Sequence, residues 1–288
     1  MNFLKSMFIS NFMILAMAIA GYAGWMLYQG GHPLAWIGVM LTTFPFMMVI
    51  GWLMMFKNVV RTSAHFPFLN FLAAVGVGLA VWAWYGQGAS NLAPALATVG
   101  WIGFVLYAYW YSGYGRRPSA NLRVGATLPT FTVKNIHGAS VSSARLTDKP
   151  AILIFFRGNW CPLCMAQIKE LVSRYKDISA LGVRVALISP QPHRNTIGLA
   201  KKYGVKFDFL TDQGNAAARL LGIEISHGIP MGMQMIGYGS ETVMPTVIIT
   251  DHNGKIVWAH ETDNYRIRPE PDVYLEVLRR HRVAPAAA

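Results

Sequence analysis

The chain has 288 residues and two cysteines, which stand three positions apart in Trp160-Cys161-Pro162-Leu163-Cys164. Thiols at that spacing on a helix are almost one turn apart and can close a disulfide with each other. A disulfide-stapled scaffold needs several cysteines spread along the chain. A structural zinc site needs more ligands than one Cys pair with no His pair nearby. Thiol redox chemistry is the use that fits two cysteines in one turn.

The flanking pattern places the pair at a strand-to-helix junction. Ala151–Phe156 is a continuous apolar run, as in a strand buried on both faces. From Cys161 to Ala180 the apolar residues Met165, Ile168, Leu171 and Val172 recur at helical spacing. Unpaired N–H groups and the positive end of the helix favour a thiolate in the first turn, so the Cys161 pKa is expected to fall. Pro162 suits the first helical position, where its missing N–H costs nothing. Cys161 is therefore expected to attack, with Trp160 and Pro162 as support. Cys164, shielded by the helix, is expected to resolve the mixed disulfide. Two inert buried cysteines are the bland alternative, which the strand–Trp-Cys-Pro–helix setting disfavours.

The rest of the C-terminal half alternates strands and helices. Phe131–Lys134 and Ala139–Ser142 flank a turn and read as a hairpin; Val183–Ser189 reads as a second buried strand. Thr196–Tyr203 and Asn215–Leu221 read as helices, Val243–Thr250 and Lys255–Ala259 as a strand hairpin, and Asp272–Arg282 as a closing helix. This order predicts an α/β sheet with helices on both faces.

The N-terminal half is of another kind. Residues 1–118 hold no Asp or Glu and only five basic residues, Lys5, Lys57, Arg61, Arg116 and Arg117. The remaining 170 residues hold 20 Lys and Arg against 13 Asp and Glu, an ordinary soluble mixture. Four apolar runs, Met7–Tyr28, Leu34–Phe56, Phe66–Tyr85 and Leu92–Tyr111, each have the length that crosses a bilayer, with Trp and Tyr clustered near their ends. Pro45 should kink the second. The first resembles a signal peptide at Ala18-Ile-Ala20, but its apolar stretch runs on to Tyr28, so a retained helix is expected. Gly76 and Gly78 are candidate close-packing contacts. The predicted organisation is a four-helix transmembrane domain over 1–111, a linker over 112–125, an α/β domain over 126–283 and a disordered tail over 284–288.

Net charge is +12, with a sequence pI near 9.9. The basic residues are interspersed with acids, so the charge reads as lipid-facing and topological, and no nucleic acid is expected. Lys5, the Lys57/Arg61 loop and Arg116, Arg117 and Arg123 fall on one side if all four runs span, and the other two loops are uncharged. The positive-inside rule then places both termini and the α/β domain in the cytoplasm, on a multi-pass protein of the cell (inner) membrane. In His227-Gly-Ile-Pro-Met-Gly-Met-Gln-Met235 one imidazole and three thioethers are soft ligands for Cu(I), but alternating Met reads better as a pliable apolar surface. No metal and no cofactor are expected.

Residues 125–282 resemble the peroxiredoxin-like branch of the alkyl hydroperoxide reductase/thiol-specific antioxidant superfamily. The resemblance rests on Phe155-Phe-Arg-Gly-Asn-Trp-Cys-Pro-Leu-Cys164, Met244-Pro-Thr-Val-Ile-Ile249, Val257-Trp-Ala-His260 and Asn264-Tyr-Arg-Ile-Arg-Pro-Glu-Pro271. It implies a thioredoxin fold with an N-terminal hairpin extension. It also implies a cis-proline at Pro245 facing the disulfide, with Met244 presenting backbone to a bound thiol; the alternative is an ordinary strand-edge proline.

Two departures bear on activity. Members of the family that reduce peroxide place Thr or Ser where this chain has Gly158, and Arg where it has Pro245. Arg157, Arg266 and Arg268 are candidate replacements for the missing charge, though each also reads as a surface or salt-bridged arginine. Gln167 stands where related thiol reductases often carry Glu. The resulting expectation is a membrane-anchored thiol–disulfide oxidoreductase working through Cys161 and Cys164. One alternative is a thiol peroxidase with Cys161 peroxidatic and Cys164 resolving; another is a redox-switched membrane interaction or sensor protein. The expected partners are the lipid bilayer, a cytosolic dithiol electron donor such as thioredoxin, and a disulfide or peroxide substrate.

Overall fold

The computed structural model describes residues 1–115 and 118–281. Arg116 and Arg117 of the charge argument, Arg282 at the end of the expected closing helix, and the 284–288 tail lie outside the described residues. The chain divides into two compact units. One comprises Leu4–Lys57 and Thr62–Tyr114; the other comprises the chain beyond Tyr114 together with Met1–Phe3 and Asn58–Arg61.

The first unit is helical: α1 (Asn2–Tyr28), α2 (Pro33–Phe56), α3 (Pro67–Gln87) and α4 (Leu92–Val105), the last continuing as a π-helical turn over Leu106–Tyr111. All four are long and apolar enough to cross a membrane. Pro45 sits inside α2 without ending it. Gly38 and Gly76 let α2 and α3 touch backbone to backbone: a β-carbon on either would lie 2.4 Å from the other's carbonyl oxygen. Gly78 faces open space, so of the two glycines expected to pack closely only Gly76 does.

The second unit is a thioredoxin-like α/β fold. Its elements are β1 (Thr132–Lys134), β2 (Ser140–Ser142), α5 (Ser143–Leu146), β3 (Ala151–Phe155), α6 (Pro162–Ser173), α7 (Tyr175–Ala180), β4 (Arg184–Ser189), α8 (His193–Tyr203), β5 (Asp208–Thr211), α9 (Ala216–Leu220), β6 (Glu224–Ile225), β7 (Thr242–Val243), β8 (Thr246–Thr250), β9 (Ile256–Glu261) and α10 (Pro271–Arg280). The main sheet runs β2-β1-β5-β4-β3-β8-β9, while β6 and β7 pair separately. The parallel strands β3, β4 and β5 form its centre, and every residue of β3 is buried. That is why β3 reads as an unbroken apolar run, as does Val185–Ile188 within β4.

Two elements differ from the sequence expectation. Helix 161–180 breaks at Arg174 into α6 and α7. The strand expected over 243–250 is two pieces, because Pro245 has no N–H for a ladder and the chain changes partner there, from β6 to β3. Strand β5 was not anticipated: four residues starting with exposed Asp208 give too short an apolar run.

Candidate active site

The cysteine loop leaves the C-terminal end of the central strand β3. Phe156 N–H still donates to Ile188 O of β4; the chain then turns through Gly158 and enters α6 with Cys161 as its N-cap and Pro162 as its first residue. Gly158 has φ +140°, and a β-carbon there would lie 2.8 Å from the Trp160 indole. Both facts select glycine at this position. The Asn159 N–H is held by Gln191 Oε1 at 2.8 Å, and the Asn159 side chain accepts from the Tyr238 hydroxyl. Tyr238 also accepts from Asn195 Nδ2 at 2.9 Å, so the loop is tied to α8 and to the 226–241 segment.

Cys161 and Cys164 are both reduced and both buried, at 1% and 0% exposure. The Arg268 guanidinium lies against them: Nη2 is 3.4 Å from Cys164 Sγ and 4.0 Å from Cys161 Sγ. Its Nη1 donates to Gln167 Oε1 at 2.8 Å, and Gln167 Nε2 donates to the Tyr274 hydroxyl at 3.1 Å. The Arg157 side chain donates from Nη2 to Gly228 O at 2.8 Å and lies between the Trp160 and Tyr265 rings, 4.6 and 4.8 Å from their centres.

The two thiols titrate as one system. Burial pushes the Cys161 thiol well up, and its hydrogen bond to Cys164 and the charge there add to this; Arg268 and Arg157 act against it. Burial acts in the same direction on Cys164. The hydrogen bond from Cys161, the Arg268 guanidinium, and the backbone N–H and charge of Arg157 outweigh it and bring Cys164 down to about 5. The mutual hydrogen bond and the charges of Arg268 and Arg157 favour one shared proton and one negative charge on the pair. The expectation of a lowered pKa at Cys161 is corrected. Burial and the neighbouring Cys164 outweigh the helix end and the two guanidiniums there.

Pro245 is buried, one residue beyond the last β3–β8 pair, Phe155 with Thr246, and so at the end of β3 from which the cysteine loop leaves. The expected cis bond is not there: the Met244–Pro245 peptide is trans. The Met244 N–H is already used, donating to Ile223 O at 2.8 Å, and its carbonyl accepts from Thr246 Oγ1 at 3.0 Å. These bonds carry the chain straight from the β6 pairing into the β3 pairing. The surface reading of Arg157, Arg266 and Arg268 also fails: they are 4%, 1% and 4% exposed. Arg157 and Arg268 join the cysteines, whereas Arg266 is placed by its N–H on Asn264 Oδ1 at 3.1 Å.

Gln167 was noted in the sequence only for the carboxylate it replaces; its bond to Arg268 was not foreseen. Tyr238, Tyr274 and Gln191 had no signal beyond being polar-tipped residues in a loop or a helix. The Met-rich segment is a short exposed turn, with Met235 90% and Ile236 58% exposed. No cluster of three metal-ligating His, Cys, Asp or Glu occurs among the described residues.

The AhpC/TSA family profile matches residues 124–259. The chloroplastic peroxiredoxin Q of Sedum lineare is 30% identical over 154 residues, 54% of this chain and 75% of that protein. The chain belongs to the AhpC/TSA family. A second AhpC/TSA-type relative, chloroplastic peroxiredoxin Q of Triticum aestivum, is 30% identical over 99 residues, just under half of its own length at 46%. The thiol-disulfide oxidoreductase ResA of Bacillus cereus is 26% identical over 166 residues, 56% of this chain and 80% of that protein. The crystal structure of peroxidoxin BcpB from Mycobacterium tuberculosis aligns at 18% identity with a TM-score of 0.46, over 55% of this chain and 97% of that one. Family membership makes the chain an oxidoreductase.

Proposed function

We propose that the protein is a membrane-anchored thiol–disulfide oxidoreductase that cycles the Cys161/Cys164 pair. A dithiol already holding one thiolate at neutral pH is competent for exchange without an external base. Cys161, at the N-cap and in the loop, is the sulfur that meets the substrate. The shared proton passes to Cys164 as the charge moves to Cys161. Cys161 attacks one substrate sulfur and the other leaves as a thiolate. Cys164 then attacks the mixed disulfide, releasing the second substrate thiol and leaving the Cys161–Cys164 disulfide. A dithiol donor, for which a cytosolic thioredoxin-like protein is the natural class, returns two electrons. The four apolar helices would anchor this domain in the bilayer, with the cytoplasmic face as its side.

The observation that carries the choice of substrate is Gly158. Its φ of +140° and the Trp160 ring leave no place for a side-chain hydroxyl that would orient a peroxide. One observation favours the second reading, a thiol peroxidase in which Cys161 becomes a sulfenic acid and Cys164 condenses with it, releasing water. The guanidiniums of Arg268 and Arg157 supply buried positive charge at the pair, and the two plant relatives are peroxiredoxins. Second-order rate constants for the reduced full-length protein in detergent, with hydrogen peroxide and with a model disulfide, separate the two. The disulfide constant is expected to be the larger, and a larger peroxide constant would assign the peroxidase reading instead.

A further inference from the structure

Gln167 stands between the arginine at the thiols and a buried tyrosine, and its two ends are used in opposite senses. Arginine can only donate, so the Gln167 atom facing Arg268 Nη1 at 2.8 Å is the carbonyl oxygen. The amide nitrogen then faces the Tyr274 hydroxyl at 3.1 Å, and that hydroxyl points on to Pro269 O at 3.4 Å. Gln167 itself is 4% exposed. The arrangement therefore fixes the plane of the guanidinium, with Nη1 on Gln167 and Nη2 on Cys164.

We infer that Gln167 is a positioning residue: it holds Arg268 against the cysteine pair while leaving the whole guanidinium charge to the sulfur. A carboxylate at this place would also hold the arginine, but it would neutralise the charge and repel the thiolate. A neutral amide has no titration of its own near neutral pH, so it adds no pH-dependent charge beside the sulfurs across that range. This rests on the thiol chemistry proposed above and deepens it, since it names what keeps the nucleophile charged inside a buried site.

The test is the ultraviolet thiolate titration of the reduced full-length protein in detergent, where two cysteines give the only thiolate signal. Gln167→Met keeps the length of the side chain and removes its acceptor. Loss of one charged hydrogen bond should raise the first pKa of the pair by about one unit, slowing alkylation roughly fivefold near pH 5 and hardly at all near pH 8. Gln167→Glu should raise it further and add a second titration step. If Gln167→Met fails to fold, Gln167→Glu and Arg268→Lys carry the same comparison, the latter keeping charge while losing the two-pronged geometry. Wild type with a thiolate, and folded variants with unshifted curves, would overturn the role of Gln167 alone. Wild type with no thiolate below about pH 8 would overturn the thiol chemistry itself, and this inference with it.

Discussion

The Trp160 indole occupies the space into which a side chain at Gly158 would grow: a β-carbon there would come within 2.8 Å of two ring atoms. The Arg157 guanidinium lies over the same ring, 4.6 Å from its centre. The glycine, the ring and the arginine form one arrangement. Restoring a hydroxyl by Gly158→Thr should therefore not create a peroxidase. A β-branched residue at φ +140° carries strain of about 1–3 kcal/mol. Thermal unfolding of the reduced protein should show that loss, and its peroxide rate constant should not rise above that of wild type.

Trapping tests the division of labour between the thiols. Cys164→Ser leaves Cys161 able to attack but removes the resolving sulfur, so mixed disulfides with substrate proteins should accumulate. Cys161→Ser should give none, because Cys164 lies inside α6 whereas Cys161 sits at its N-cap, where the loop meets the helix. Covalent complexes that form with Cys161→Ser and are missing with Cys164→Ser would reverse the roles.

How far the sequence disclosed this site depends on the kind of information each part carries. The position of the cysteines was legible because strand, N-cap and Pro162 are local signals, each decided within a few residues. The trans Met244–Pro245 bond was not, since it depends on hydrogen bonds to Ile223 and on the pairing of β8 with β3. Arg268 belongs to the same class. It is 104 residues from Cys164 along the chain, and only the path after β9 brings it back to α6. An arginine destined for burial has the same sequence signature as one destined for solvent. The approach of the Arg268 guanidinium to the two sulfurs, at 3.4 and 4.0 Å, is likewise a tertiary distance that no spacing rule supplies.

The shared charge has a consequence for stability against pH. Cys164 is depressed in the folded protein to about 5, whereas an unfolded thiol titrates near 9. Between these values the unfolded chain binds a proton that the native pair has released, so the stability of the reduced form should rise with pH across that window. The contribution is complete above the unfolded value and is lost as pH falls through about 5. His260, lowered by burial against its ordinary value, adds a slope of the same sign just below pH 6.5. Denaturant unfolding of reduced wild type and of Cys161→Ser/Cys164→Ser from pH 5 to 8 should show a difference that grows with pH. Parallel curves would place the thiolate elsewhere or show that it does not exist.

The sidedness of the redox domain is the remaining prediction, and it turns on few charges. Lys5, Lys57, Arg61 and Arg123 lie at chain positions that share one side when four helices span. The connections 29–33 and 86–91 carry no Lys, Arg, Asp or Glu. Moving basic residues across a bilayer during insertion is disfavoured, so the charged side is expected to stay cytoplasmic. A reporter active only outside the cytoplasm should be silent when fused after Ala288 and active when inserted between Gly86 and Asn91. Substituting Lys57 and Arg61 by Gln while adding two lysines between Gly86 and Asn91 should weaken or invert that pattern, because the bias would then favour the opposite orientation. An active reporter after Ala288 in the wild-type chain would put the cysteine pair on the oxidising side of the membrane, where a cytosolic dithiol donor could not reach it.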